Sequence, residues 1–281
     1  MGHPPCLRRS KKWCPGTRRR HMSLPHEAEV IADIASRYRN ELDAMTGLHD
    51  AVVGMMSVGR WTIGKRGLDA LVIETTLGLL TKACKTFRSI QILCERGLID
   101  DANALVRVLM ENTVAITYIL QKNPRERVRI YHAHSFAQNI KMLNDWKNTP
   151  GLKRKATKKA IKQANDGLAF WMKGLPTGTN VKDHWSGKRN LREAVTALRG
   201  DVAYATLYRF TSSTAHASDF GSHFEIEVAT GDRIWQIEPR AWGFEGPSLS
   251  ARELLWNAAN RIDKRLGLGY PTTLAPHMVR K

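Results

Sequence analysis

The chain has 281 residues, with 44 Lys plus Arg against 26 Asp plus Glu, a formal net charge of +18, and hydrophobic residues at 42%. That length allows a large core, and the ordinary globular composition excludes a mainly disordered chain. The longest apolar stretch, Leu71 to Leu80, is broken by Glu74 and falls short of the ~20 residues a spanning helix needs, and the four cysteines form no disulfide framework, so the expected setting is a reducing cytoplasm away from any membrane.

Residues 1–21 carry seven Lys or Arg and no acidic residue, and they lack the apolar region and cleavage site of a secretory signal. They read as a basic, disordered extension, with Met22 opening the first hydrophobic period and one helical domain over 22–281. His3, Cys6, Cys14 and His21 lack the close Cys-x2–4-Cys pair of a structural zinc site. Neither metal nor cofactor is expected.

From residue 26 the pattern is helical. Ile31, Ile34, Ala35, Tyr38, Leu42 and Met45 recur at three and four, one face of a helix. A second helix is predicted from Leu68 to Cys94, stopped by Gly97, and a third after Asp100 or Asp101 as N-cap, ending before Pro124. These two make an antiparallel hairpin. A fourth starts at Pro124 and continues through Ile130, Phe136, Ile140, Leu143 and Trp146. Lys153 to Met172 reads as a helix with a basic solvent face, and Gly174 to Asn180 interrupts the pattern. Helices follow over Asn190–Leu198 and Val202–Ala217. The period then changes to two over His223–Val228 and Arg233–Glu238, predicting a β-hairpin across Ala229–Asp232. A last helix, capped by Ser248 or Ser250, runs through Ile262. The predicted fold is mostly α, a multi-helix bundle with a small late β-hairpin.

Three segments carry a family resemblance: Lys82 to Thr86 with Arg96-Gly97-Leu98 and Ala104 to Glu111; Trp185-Ser186-Gly187; and Tyr204 through Tyr208-Arg209, Ser212-Ser213 and His216-Ala217-Ser218. Their order and spacing resemble an uncharacterised bacterial family, domain of unknown function 5677, over roughly residues 65 to 225. The resemblance implies a helical bundle and no particular chemistry.

Arg209 and His216 are seven apart, close to two helical turns, so both project from one face. The spacing resembles the Arg/His motif of HEPN-type nucleases. That resemblance implies a metal-independent ribonuclease, in a defence or mobile-element setting, in which a homodimer presents His as general acid or base and Arg as the stabiliser of developing charge. Such pairs are common in a chain this rich in Arg: Arg125, Arg127 and Arg129 make similar ones with His132 and His134. The plainer reading is a histidine hydrogen-bonded within the bundle.

Arg107 and Glu111 are spaced for an ion pair within the third helix. The sharper reading gathers Lys85, Arg107, Glu111, Arg209 and His216 into one polar pocket that takes a small anion or serves a nuclease. Lys155, Lys158, Lys159 and Lys162 suit phosphate backbones of RNA or DNA, with Phe170 and Trp171 near enough to stack on bases, although a solvated face and a packed aromatic pair explain the same residues. Asp183, His184 and Ser186 include the residue types of a hydrolase triad, but neighbours in one loop rarely attain that geometry. The favoured expectation is a non-catalytic helical protein that holds nucleic acid or a protein partner, with the nuclease as its alternative.

Overall fold

A computed structural model describes residues 26–57, 70–149, 154–198, 224–226, 231, 233–235 and 239–267. Eight helices are among them: α1 (Glu27–Arg37), α2 (Arg39–Ser57), α3 (Ala70–Glu95), α4 (Ile99–Gln121), α5 (Pro124–Lys147), α6 (Arg154–Met172), α7 (Leu191–Thr196) and α8 (Glu245–Leu266). The fold is mostly α. No helix among the described residues is long and apolar enough to cross a membrane.

The first predicted helix is two. Tyr38 leaves helical geometry at φ −114° and ψ 25°, yet its N–H still reaches Ile34 O and its carbonyl accepts from Leu42 N–H. Its ring stacks on buried Phe244 with centroids 4.3 Å apart.

α3 and α4 form the expected antiparallel hairpin and the centre of the core. α3 buries a stripe that includes Leu80, Ala83, Phe87, Ile90 and Cys94, and α4 answers with Ala102, Val106, Leu109 and Ile116. α8 closes over both with Ala251, Leu255, Ala258 and Ile262, while α2 adds Met45, Leu48 and Val52. Burying side chains of this size is worth about 1.5–3 kcal/mol each before the ordering entropy is charged against it. The α3–α4 turn is set by Gly97 at φ +73°, with Leu98 N–H bonded to Leu93 O.

Two caps differ from the sequence reading. α4 begins at Ile99, so Asp100 and Asp101 stand inside its first turn, where a carboxylate offsets the helix dipole. Asp100 is paired with Arg240, whose N–H reaches Gly97 O at 3.0 Å. α8 begins at Glu245, before either predicted cap. Ser248 is fully buried and its hydroxyl donates to Glu245 O within the first turn. The 240–244 strap touches both helix starts, with Arg240 bound to Gly97 and Asp100 ahead of and inside α4 and Phe244 buried immediately before α8.

α5 starts at Pro124 after Asn123 in the left-handed region, and α6 packs antiparallel on it. Residues 173–190 form a loop, and α7 is a short helix capped by Asn190, whose Oδ1 accepts from Glu193 N–H at 3.0 Å. Phe224–Ile226 and Arg233–Trp235, labelled β1 and β2, pair antiparallel with Glu225 opposite Ile234. Most of the predicted turn between them, and the helix predicted over Val202–Ala217, lie outside the described residues.

Candidate nucleic-acid interface

α5 and α6 together make an arm. The only buried residues of α5 are Val128, Ile130 and Ala133, all in its first half; from His134 to Lys147 none is buried. α6 packs principally on α5. At the crossing, Gly167 lets the helices close up: a Cβ there would lie 2.3 Å from Phe136 Cε1. The root of the arm has its own small core of Ile130, Ala133 and Val181, covered by Leu168, Trp171, Met172 and Leu175.

The inward side of α6 runs through Thr157, Ala160, Ile161, Ala164, Leu168 and Trp171. The outward side carries Lys158, Lys159 and Lys162, all exposed, then Asp166, Phe170 and Lys173. Lys155 lies in the first turn of the same helix. Lys141 and Lys147 of α5 are exposed near the tip. Between residues 124 and 173 there are twelve Lys or Arg and three Asp or Glu, a net +9 and half of the charge of the whole chain. A positive field of this density on a protruding element favours polyanions through counterion release.

Phe170 and Trp171 divide the roles that the sequence left shared. Trp171 packs at the root, stacked on His132 at 4.5 Å, and His132 Nε2 lies 2.9 Å from Thr75 Oγ1 of α3. Phe170 stands edge-on to Trp171 at 5.1 Å and is 63% exposed. Arg129 donates to the carbonyls of Phe170 and Lys173, which closes the end of α6. Trp146, at the end of α5 away from its buried residues, is 48% exposed. The exposure of Trp146 and the part played by Arg129 were missed in the sequence. A heptad-like comparison of 157, 161, 164, 168 and 171 against 170 would have separated the two aromatics.

The loop that bears Trp185-Ser186-Gly187 docks on α4 and α5. His134 donates Nδ1–H to Val181 O at 3.0 Å, Gln138 donates to Lys182 O, and the Tyr118 hydroxyl donates to Ser186 O at 3.2 Å. Trp185 fits between Tyr118, Tyr131 and His184. The Ser186 hydroxyl, 2.7 Å from His184 Nδ1, also accepts from Lys188 N–H. Burial, with His134 alongside, pulls His184 down to about 4. The ring is therefore neutral at pH 7, and its Nδ1 accepts from Ser186. Asp183 is bonded to Asn180 instead of His184. Ser186 is 3% exposed, and with Asp183 turned to Asn180 the three side chains form no Asp–His–Ser chain.

Arg107 and Glu111 come together on α4, with Nε and Oε1 3.4 Å apart. Lys85 is exposed on α3 and lines a groove against α2 with His49, Val53, Met56, Cys84 and Arg88; neither Arg107 nor Glu111 is among its lining residues. The described contacts thus unite the first pair and leave Lys85 on a separate groove. Burial pushes the Cys84 and Cys94 thiols up to about 12, which removes both as nucleophiles at neutral pH. Arg209 and His216 lie outside the described residues. Among the described residues no group of three or more His, Cys, Asp or Glu is placed to hold a metal ion.

Residues 74–230, more than half of the chain and a span that takes in most of α3 and all of α4 through α7, match a family described as of unknown function (DUF5677). No curated protein and no solved structure matches the chain.

Proposed function

The chain belongs to the family of unknown function DUF5677, and because that membership brings no chemistry with it, we propose from charge and geometry that the protein binds nucleic acid without catalysis through its α5–α6 arm. The observation that carries the reading is the outward side of α6, where Lys158, Lys159 and Lys162 stand exposed on a helix backed principally by α5. Lysines are suited to this because each is a mobile point charge that follows phosphates without reading bases. In this reading residues 22–281 act as one cytoplasmic domain, with the hairpin over 223–238 as part of it. Residues 1–21 precede it as a basic extension.

The test is fluorescence anisotropy of labelled RNA and DNA with the full chain at several salt concentrations. Lys158→Glu, Lys159→Glu and Lys162→Glu together are expected to weaken binding. They should also reduce the slope of log affinity against log salt by at least about two, since each lost phosphate contact removes about 0.7–0.9. An unchanged slope removes the arm from consideration.

The alternative is the metal-independent ribonuclease that uses Arg209 and His216, arranged across a homodimer. It is supported by their seven-residue spacing within the matched family span. Incubation of a mixed RNA pool with the chain and a chelator separates the two. Cleavage that is lost in both Arg209→Ala and His216→Ala, with folding intact, would replace the binding reading.

A further inference from the structure

We infer that the arm takes single-stranded nucleic acid, with Phe170 as a stacking platform for a base at the root end of the lysine track. This rests on the nucleic-acid reading above and goes beyond it by naming the substrate class. Phosphate contact alone does not explain Phe170. An apolar ring held 63% exposed on the same side of α6 as three lysines gains nothing from a duplex, whose base faces are stacked on one another and closed to it. A single strand has free base faces, and a base laid on Phe170 removes apolar surface from water on both partners.

The ring is also held in place before any ligand arrives. Phe170 leans edge-on against Trp171, Trp171 stacks on His132, and His132 is tied to Thr75 of α3. Arg129 fixes the Phe170 carbonyl at 3.0 Å. A platform anchored to the core in this way loses little side-chain freedom when a base covers it. Lys159 and Lys162 lie eleven and eight residues before Phe170, about 16 and 12 Å along the helix. Three residues beyond it, Lys173 joins Arg125 and Arg129 around a cleft of about 540 Å³ in which Glu126 is the one acidic lining residue, so the cations outnumber it three to one. Cations therefore flank the aromatic on both sides along the chain, which suits a backbone passing over it. The same net +9 argues against a second copy of the arm as the occupant, since two such surfaces repel. Nothing in the set reads base edges, so sequence tolerance is expected.

The experiment compares a labelled oligothymidine of about sixteen nucleotides, the upper end of the usual single-strand site sizes of ~4–16, with a GC-rich blunt duplex of about eight base pairs that stays paired and carries about the same number of phosphates, both against the full chain. The single strand is expected to bind more tightly. Phe170→Ala should weaken single-strand binding by about 5- to 150-fold, the range for loss of one aromatic stack, with the duplex and the salt slope unchanged. Phe170→Trp should restore it. Equal binding of the two probes, or a Phe170→Ala variant that weakens both alike or neither, overturns the single-strand assignment and leaves the nucleic-acid reading standing. Binding of neither probe overturns both. The Lys158, Lys159 and Lys162 reversal weakens both probes if the arm is the site, and a reversal without effect on either removes arm and platform together.

Discussion

Replacing Gly97 by alanine is expected to be among the most destabilising single-methyl additions available in this chain. Its φ of +73° puts an L side chain in the left-handed region, at a cost of about 1–2 kcal/mol. The added Cβ would also sit 2.8 Å from Val30 Cγ1, 2.9 Å from Arg240 N and 3.0 Å from Arg240 O. Two of those neighbours are backbone atoms of the strap that bonds back to Gly97 O, so the strap must move as a unit. Overpacking of that kind adds about 1–3 kcal/mol, and the loss of glycine's freedom in the unfolded chain returns about 0.4–1. The net is about 1–4.5 kcal/mol, read as a fall in urea midpoint at constant slope. Two controls separate the contributions. Gly178→Ala, at φ +84° in open space, isolates the backbone strain and should cost about 1 kcal/mol. Gly78→Ala, mid-helix with nothing within 4 Å, should stabilise by about 0.5–1 kcal/mol. If Gly97→Ala costs no more than Gly178→Ala, the clasp between the α3–α4 turn and Arg240 contributes nothing and the packing argument fails.

Two further outcomes follow from the arm and its docked loop. His184 has a folded pKa of about 4 against an ordinary 6.5, so the unfolded chain takes up a proton that the folded chain refuses between those values. Its contribution is full above about pH 6.5 and is lost as pH falls towards 4, by about 1–3 kcal/mol after solvent screening. His184→Asn should flatten urea midpoints across that window, leaving the smaller slope due to His132, whose pKa burial also lowers; an unchanged profile refutes the assignment. Gly167→Ala gains about 1 kcal/mol of helix propensity but drives its methyl into Phe136, for a net cost of up to about 2 kcal/mol. In a cycle with Phe136→Leu the two effects should be non-additive, and additivity would show that the ring does not set the α5–α6 spacing.

The α3–α4 hairpin was readable in the sequence because both apolar stripes are long and Gly97 punctuates them. The misplaced caps were not, since Asp100, Asp101 and Ser248 are all good capping residues, and the start of α4 is engaged by Arg240, more than a hundred residues away in the chain. Trp146 illustrates a different limit. A spacing of three and four says which residues share a side of a helix, and says nothing of whether another layer covers that side. The spacing of Arg107 and Glu111 sufficed to pair them. Uniting them with Lys85 required knowing how α2, α3 and α4 pack, which local pattern does not encode. Phe170 and Trp171 were separable in principle, because neighbours on a helix point about 100° apart and only one could join the inward series.

Among the described residues the α5–α6 pair meets the other helices at its root, and an element joined in that way has a reach independent of what supports it. Seven residues added to each of α5 and α6 would move the tip outward by about 10 Å and return both helices nearly to their original phase. No side chain in the α3–α4–α8 core would sense the change. The span between the lysines near the tip and the aromatic at the root can therefore lengthen or shorten in whole double turns, a dimension that evolution or engineering can vary while the stability of the folded body stays fixed.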